Sequence, residues 1–343
     1  MTDIVMKIEI IQVQPNGIGF EMFSAVPASL YPSAALPLQK SGDQLNTDFL
    51  FACLIVLADQ KPLGRLALYD NSWITFNGKK VLLAGNFECV SNDKISAALL
   101  HEAMRIAKNE GAAYLIGPMN GSTWDTYRFT IGTRNDLFFS ENLHHTYYTA
   151  LWENAGFTEL ERYISTVDRY MRCDAPAVIE REKELIAQGV VFRNIRLDDY
   201  ENELKKLFPF CLRVFSSNKF YSPVSEEHFL EKYVSVKNYI TEKGVVIAEN
   251  NRNEIVGFMF GFHDHFSSAE RRFIIKTVAR DPAPEYKGMG NILGNMGTRY
   301  ALINGYDACI HAFMHMDNRS VHLSDKYSGR PLREYVLLKK ELV

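Results

Sequence analysis

The sequence predicts an α/β (α+β) architecture of two tandem domains, each a mixed, mostly antiparallel central sheet flanked by helices. Three observations predict it. The chain has 343 residues, more than one compact domain usually holds, so two domains of roughly 150–180 residues are expected, each able to bury its own core. Both halves run in the same order of strands, helix, strand, helix, strand. Between them, around Asp174-Ala175-Pro176, the pattern changes to a charged helical run, Ile179-Glu180-Arg181-Glu182-Lys183-Glu184-Leu185, that ends at Gly189. The domains are accordingly placed at residues 1–174 and 189–343, joined by a linker helix over 175–188.

Each element follows from local pattern. Lys7 to Val13 reads as extended, and the Pro- and Ser-dotted stretch Val26–Leu38 as turns with at most a short helix. Three β-rich runs, Phe49–Leu57, Pro62–Tyr69 and Val81–Val90, are separated by the turn signals Asp59-Gln60-Lys61-Pro62 and Asn77-Gly78 and form a meander. Apolar residues at Ile95, Ala98, Leu99, Ala103, Ile106 and Ala107 recur with a helical period, and Gly111 closes that helix. A short strand Ala112–Gly117, a loop from Pro118, a helix Tyr147–Ala155 and an extended run Phe157–Tyr170 complete the first half. The second half is read as strand Val190–Ile195, helices Tyr200–Phe215 and Glu226–Tyr239, and a hairpin Val245–Glu249/Ile255–His263. It continues with strand Arg272–Val278, helix Gly290–Asn304, strand Cys309–Met314, a short helix Ser320–Tyr327 and a last strand Arg333–Glu341.

Composition removes several function classes. Apolar residues make up 47% and charged residues 23%, ordinary for a soluble protein, and no run of about 18 apolar residues offers a membrane span. Met1-Thr2-Asp3-Ile4-Val5-Met6-Lys7 lacks the pattern of a secretory signal, so a cytoplasmic location is expected. The five cysteines are scattered without a Cys-x-x-Cys pair and read as reduced, mostly buried thiols. A net charge of −3 with no Lys/Arg block argues against nucleic acid or anionic lipid as partners. His263, His265, His311, His315 and His322 share no helix face and form no His-Glu-x-x-His, so no metal site is expected.

The segment richest in chemistry is Pro284-Glu285-Tyr286-Lys287-Gly288-Met289-Gly290-Asn291-Ile292-Leu293-Gly294, between a predicted strand and a predicted helix. A loop turning into a helix presents unpaired N–H groups and the positive end of the helix dipole, and glycines let a diphosphate approach that backbone. The same two glycines also serve a plain strand-to-helix turn.

In this context the second half resembles the GNAT acetyltransferase superfamily, whose members bind acetyl-CoA pyrophosphate at Arg/Gln-x-x-Gly-x-Gly/Ala between strand four and the next helix. Lys287-Gly288-Met289-Gly290-Asn291-Ile292 is similar to that motif: Lys287 stands for the Arg or Gln, Gly290 matches, and Ile292 departs from the final Gly/Ala. Asn318-Arg319-Ser320-Val321 to Tyr327-Ser328-Gly329 resembles the family's strand-five exit, with its spacing shifted by a residue or two. The resemblance implies a splay between strands four and five, with Thr277, Val278, Ala279, Lys287, Gly288, Met289, Gly290, Asn291, Ile292 and Asn318 holding acetyl-CoA or a related acyl-CoA. It also implies Tyr327 as the acid that protonates the leaving thiolate. Strand alternation puts Cys309, His311, Phe313 and His315 on one face, where His311 or His315 can accept the amine proton, with Asp264 as a further base. The aromatics Phe208, Phe210, Phe215, Phe220, Tyr221 and Tyr233 either shape an acceptor pocket or pack the two domains together.

The first half resembles bacterial GNAT-like proteins through Pro62-Leu63-Gly64-Arg65-Leu66-Ala67, Gly85-Asn86-Phe87-Glu88-Cys89-Val90, Gly117-Pro118-Met119-Asn120-Gly121-Ser122-Thr123 and Leu151-Trp152-Glu153-Asn154-Ala155-Gly156-Phe157. Its phosphate loop would fall at Ser91-Asn92-Asp93-Lys94-Ile95-Ser96, which has no glycine and places Asp93 against phosphate, and Trp152 stands where an active member carries Tyr. The resemblance thus implies a degenerate first domain. The whole chain is then an N-acyltransferase acting on a small-molecule or peptide amine without a metal, with a homodimer left open. The alternative, from a different class, is a non-catalytic GNAT-like binding or scaffold protein, which Ile292 and the shifted Tyr327 favour.

Overall fold

A computed structural model of the protein describes residues 7–132, 137–317 and 329–342. The first half starts with β1 (Ile8–Val13) and, where turns were expected, two helices, α1 (Phe20–Leu30) and α2 (Leu36–Ser41). Helix α1 contains Pro27, a residue that costs a helix one hydrogen bond, yet Phe23, Val26 and Pro27 form one buried face, and that burial carries the helix past its proline. Strands β2 (Leu50–Ala58) and β3 (Lys61–Tyr69) join through Asp59 and Gln60, both at positive φ (47° and 67°) as a tight hairpin demands. Next come β4 (Thr75–Phe76), β5 (Lys79–Cys89), α3 (Asp93–Asn109), β6 (Tyr114–Gly117), β7 (Phe129–Ile131), α4 (Tyr148–Asn154) and β8 (Thr158–Asp168).

The second half comprises α5 (Pro176–Ala187), β9 (Val191–Asn194), α6 (Tyr200–Phe215), α7 (Glu226–Val234), β10 (Val245–Glu249), β11 (Ile255–His263), β12 (Arg272–Arg280), α8 (Met289–Ile303), β13 (Ala308–His315) and β14 (Arg330–Glu341). Helix α7 is shorter than its apolar pattern suggested, giving way to a 3-10 turn at Lys237–Tyr239. The short helix expected at Ser320–Tyr327 lies outside the described residues.

The two halves share one sheet in the order β1-β2-β3-β5-β6-β14-β8-β13-β12-β11-β10-β9. Its centre is an exchange: β14, the last strand of the chain, pairs with β6 of the first half, while β8, the last strand of the first half, pairs with β13 of the second. The exchanged strands pair with each other over Arg330–Lys339 against Val167–Thr158. Two of the described pairings are parallel, β5 with β6 and β12 with β13; the others are antiparallel. Helices cover both faces. In the first half α3 and α4 bury Leu99, Leu100, Ala103 and Trp152 on one face, and Phe23 of α1 packs with Cys53, Ile55 and Leu83 on the other. In the second half α5 and α8 supply Leu185, Ile292 and Leu293 to one core, and α6 and α7 supply Leu204, Phe210 and Phe229 to the opposite one. Among the described residues no helix is long and apolar enough to cross a membrane.

Candidate active site

Each parallel pair is short. Strands β12 and β13 are paired only over Arg272–Ile275 against Ala308–His311. Past that point β12 stays with β11 as far as Arg280, and β13 follows β8 through Met314 and His315. Among the described residues, the edge of Lys276–Arg280 that faces β13 is thereby left without a strand partner. Two irregularities drive the parting. An extra residue in β12, Lys276, falls between the pairs Gly261–Ile275 and Phe260–Thr277, a bulge that bends the strand and re-aims its side chains. In β13, Phe313 adopts a left-handed backbone (φ 57°), and its N–H donates to Ser165 Oγ at 3.0 Å.

The left-handed residue also breaks the expected alternation. His311, expected to share a face with Phe313 and His315, is buried in the sheet beside Asp168 and does not line the cleft described below; burial pushes its pKa down to about 4. Asp264 is likewise fully buried and absent from the cleft. It forms an ion pair with Arg272 (2.7 Å) and accepts the N–H groups of Phe139 (2.8 Å) and Phe266 (3.1 Å), which explains an acidic residue at a strand end without catalysis. Tyr327 and Asn318 lie outside the described residues.

The parting strands open into a cleft of about 670 Å³ between the two halves. Lys276, Thr277, Phe313 and His315 come from β12 and β13, Lys232 and Tyr233 from α7, and Trp124–Arg128 from the loop after β6. This loop ties the halves together. The Trp124 ring packs edge-on between Phe215 (5.9 Å) and Phe229 (6.0 Å), and its Nε1–H donates to the Ser222 carbonyl (2.9 Å). Asp125 accepts from Asn46 (2.8 Å), Ser122 (2.7 Å) and His228 (3.0 Å), with the Lys232 ammonium at 3.9 Å. Burial would raise the Asp125 pKa, but these partners outweigh it and hold the carboxyl below its usual range; the same contact raises that of His228. Of the aromatics weighed between pocket and packing, Phe215 thus packs the halves together and also lines the cleft, with Tyr221 and Tyr233 beside it.

Cations gather in the same cleft. Burial, reinforced by Lys232 and Arg128, lowers the Lys276 pKa to about 7, and among the described residues Lys276 has no hydrogen bond or ion pair. Burial also lowers that of Lys232, with Asp125 opposing, and its ammonium donates to the Trp124 carbonyl. The Arg128 guanidinium is held among rings, 4.0 Å from Tyr127 and 4.7 Å from both Tyr163 and Phe313. His315 Nε2 meets Glu161 at 2.6 Å. Glu161, His315 and Asp317 are spaced to surround a cation, and the Lys219 ammonium sits there, 2.9 Å from Glu161 and 3.2 Å from Asp317.

On the other side of β12 lies the start of α8. Gly288 precedes it at φ 93° and, as a glycine, brings no side chain to cap the helix. Arg181 of α5 donates to the carbonyls of Lys287 (2.9 Å) and Glu285 (2.6 Å), fixing the loop from behind. A Cβ on Gly290 would meet nothing within 4 Å. Ile292 is fully buried in the core beneath α8, so its departure from Gly/Ala takes no room from the loop.

The first half closes the equivalent space. The segment after β6 folds onto β5, with Met119 N–H donating to the Ala84 carbonyl and Asn86 N–H to Asn120 Oδ1, each at 2.8 Å. The Asn92 side chain accepts the N–H groups of Lys94 (3.0 Å) and Ile95 (3.3 Å) and so occupies the start of α3. Glu88 is enclosed there, accepting from Tyr31 (2.9 Å), Tyr148 (2.5 Å) and Gln39 (2.9 Å); burial raises its pKa to about 7 despite those donors. His144 and His145 join this packing: His144 accepts the Thr130 N–H at 2.9 Å and His145 stacks on Tyr31.

Sequence reasoning overlooked Arg128, Trp124, Asp125 and Arg181. The signal for Lys276 was present, a lysine set between the apolar residues Phe273-Ile274-Ile275 and Val278-Ala279, whereas a cross-domain contact such as that of Trp124 leaves no periodic mark.

No family model matches the chain, and no curated protein matches it in sequence. Its likenesses are to solved structures. A tandem GNAT protein from the clavulanic acid biosynthesis pathway has a TM-score of 0.53 at 12% identity, over 98% of this chain and 99% of that one. A GNAT acetyltransferase from Anabaena variabilis has a TM-score of 0.58 at 8% identity, over 98% and 73%. The glucosamine N-acetyltransferase region of a fungal multi-domain β-N-acetylglucosaminidase has a TM-score of 0.57 at 11% identity, and there the chain spans 98% of itself but 38% of the fungal protein. These likenesses show the fold, two GNAT-like domains in tandem.

Proposed function

We propose, with the tandem GNAT fold as premise, that the protein is an N-acyltransferase carrying an acyl group from acyl-coenzyme A to an amine, with its donor site in the second half. The observation that supports this best is the edge of Thr277–Arg280, without a strand partner among the described residues, which leads to the start of α8 in one direction and into the cleft in the other. Lys287, Gly288, Met289, Gly290 and Asn291 would hold the pyrophosphate at the helix start, and the edge of Thr277–Ala279 offers main-chain groups to an amide-bearing arm, as sheet edges do for extended ligands.

Acyl transfer then needs a neutral amine, a proton acceptor and an acid for the thiolate: the C–N bond forms, the C–S bond breaks, and the amine proton leaves to a base. Of the bases expected, His315 lines the cleft, oriented by Glu161, and is assigned that role. Tyr327 is proposed as the acid on the family resemblance alone. The first half contributes the cleft wall Trp124–Arg128 rather than a second donor site. Because both walls come from one chain, the reading requires no homodimer, and use of acyl-coenzyme A fits a cytoplasmic protein acting on a small-molecule or peptide amine.

Calorimetric titration of the full chain with acetyl-CoA tests the donor site. Saturable binding is expected, reduced by about a hundredfold or more in Gly290→Glu, since a like charge set against phosphate costs several kcal/mol. Lys94→Glu, at the start of α3, should leave the affinity unchanged. Equal losses in both variants, or no binding up to millimolar acetyl-CoA, would sink the assignment.

A further inference from the structure

The charges of the cleft go beyond what acyl transfer requires. Its carboxylates are committed: Asp125 to His228, Lys232, Ser122 and Asn46, and Asp317 to Lys219, which also holds Glu161. Arg128 and Lys276 have no carboxylate partner among the described residues, and both pack against one ring, with Arg128 Cζ 4.7 Å and Lys276 Nζ 5.6 Å from the centroid of Phe313. Two cations brought together without a counter-charge are electrostatically incomplete, and a bound anion completes them.

We propose that Arg128 and Lys276 recognise an anionic group on the acceptor, so that the amine acylated in this cleft belongs to a molecule bearing a carboxylate or a phosphate. The inference rests on the acyltransferase reading for the word acceptor, but not for the anion site itself. The geometry suits the task. Arg128 is held among Tyr127, Tyr163, Phe313 and Tyr335, so its planar fork is set before the ligand arrives and less freedom is lost on binding. Tyr163, Tyr233 and Phe313 in the lining suit an apolar spacer between the anion and the amine. The same cations disfavour an ammonium nearby, so an acceptor anchored by its anion presents its amine in the neutral, nucleophilic form.

The test is calorimetry on the full chain with three probes of similar length: 4-aminobutyrate, O-phosphoethanolamine and butylamine. Both anionic amines should bind about tenfold or more tightly than butylamine, the scale of one charge-assisted contact. Binding of only one of them distinguishes a carboxylate from a phosphate site. Lys276→Met should abolish the preference, Lys276→Arg should keep it, and acetyl-CoA affinity should be unchanged in both. Lys276 shares the cleft with Lys232 and Tyr233 of α7, Arg128 and Tyr127 of the loop, and His315 of β13, and of these Lys232 and Arg128 act on its charge. The wild-type preference, which needs no variant to fold, should therefore weaken as pH rises past 7 and Lys276 loses its proton. Butylamine binding as tightly as the anionic probes, no binding of any amine, or a loss of acetyl-CoA affinity in Lys276→Met would each overturn the proposal. Anionic amines binding where acetyl-CoA does not would instead remove the donor reading and leave this site standing.

Discussion

Beyond Leu83 in the first half and Ile275 in the second, the same parallel strand pair comes apart, and the chain treats the resulting gap in opposite ways. Counted from the first paired residue of each strand, Val81 and Arg272, Gly85 stands where Lys276 does. A Cβ on Gly85 would lie 2.5 Å from Asn120 Oδ1 and from the Met119 carbonyl oxygen, because the segment after β6 already fills the space. In the second half that space holds the Lys276 side chain and opens to solvent. The helix starts differ in the same sense, α3 having the side chain of Asn92 as its cap and α8 the bare Gly288 at that position. A GNAT-like splay can therefore keep its strands and lose its site when its own backbone and side chains satisfy the groups that a ligand would otherwise meet.

Exchanging the residues at the two equivalent positions breaks the comparison most severely. Gly85→Lys should cost the fold about 3 kcal/mol or more, through overpacking and a buried unpaired charge, and should show as a large loss in denaturant midpoint. Lys276→Ala should leave the midpoint close to wild type. Similar stability of the two variants would mean that the first-half splay is as open as the second.

Glu88 sharpens the contrast at a smaller magnitude. Its pKa is raised to about 7 in the folded chain, so folding favours the protonated form. The penalty for ionising it is absent below the unfolded value near 4.3 and complete above about 7, up to about 3–4 kcal/mol. Stability should thus fall from pH 4.5 to 7.5 by this contribution, and Glu88→Gln should remove it, leaving the variant more stable than wild type at pH 8. The Gln39 side-chain oxygen, buried without a hydrogen-bond partner among the described residues, can turn to receive the new amide. Parallel pH profiles for the two proteins would show that Glu88 reaches solvent and that the first half retains an accessible carboxylate.

Much of this was legible in local pattern. The period of α3, the turns at Asp59-Gln60 and Asn77-Gly78, and the loop Lys287–Gly290 each depend on residues near in sequence, and each lies where the pattern put it. The strand exchange did not show, because the alternation of Arg330–Glu341 is the same whichever sheet it joins. The left-handed Phe313 is carried by a hydrogen bond to Ser165, which is remote in sequence, and it alone moves His311 out of the group containing His315. Arg181 reads as one more charge on a solvated linker helix until α5 is seen against α8. Helix α1 was missed because a proline normally ends a helix and only tertiary burial overrides it.

The mildest intervention tests whether the two helix starts differ by their caps alone. Asn92→Ala removes the acceptor for the Lys94 and Ile95 N–H groups and should cost about 1 kcal/mol, a fall of roughly 2 °C in melting temperature for a chain this long. It frees the amides of α3 and so makes that end resemble α8. Acetyl-CoA should nonetheless gain no second site in a calorimetric titration, because Asp93 remains in the first turn and the gap along β5 stays closed by Met119 and Asn120. A second equivalent bound in Asn92→Ala would show that capping was the sole barrier, and that the first half is a latent copy of the second rather than a closed one.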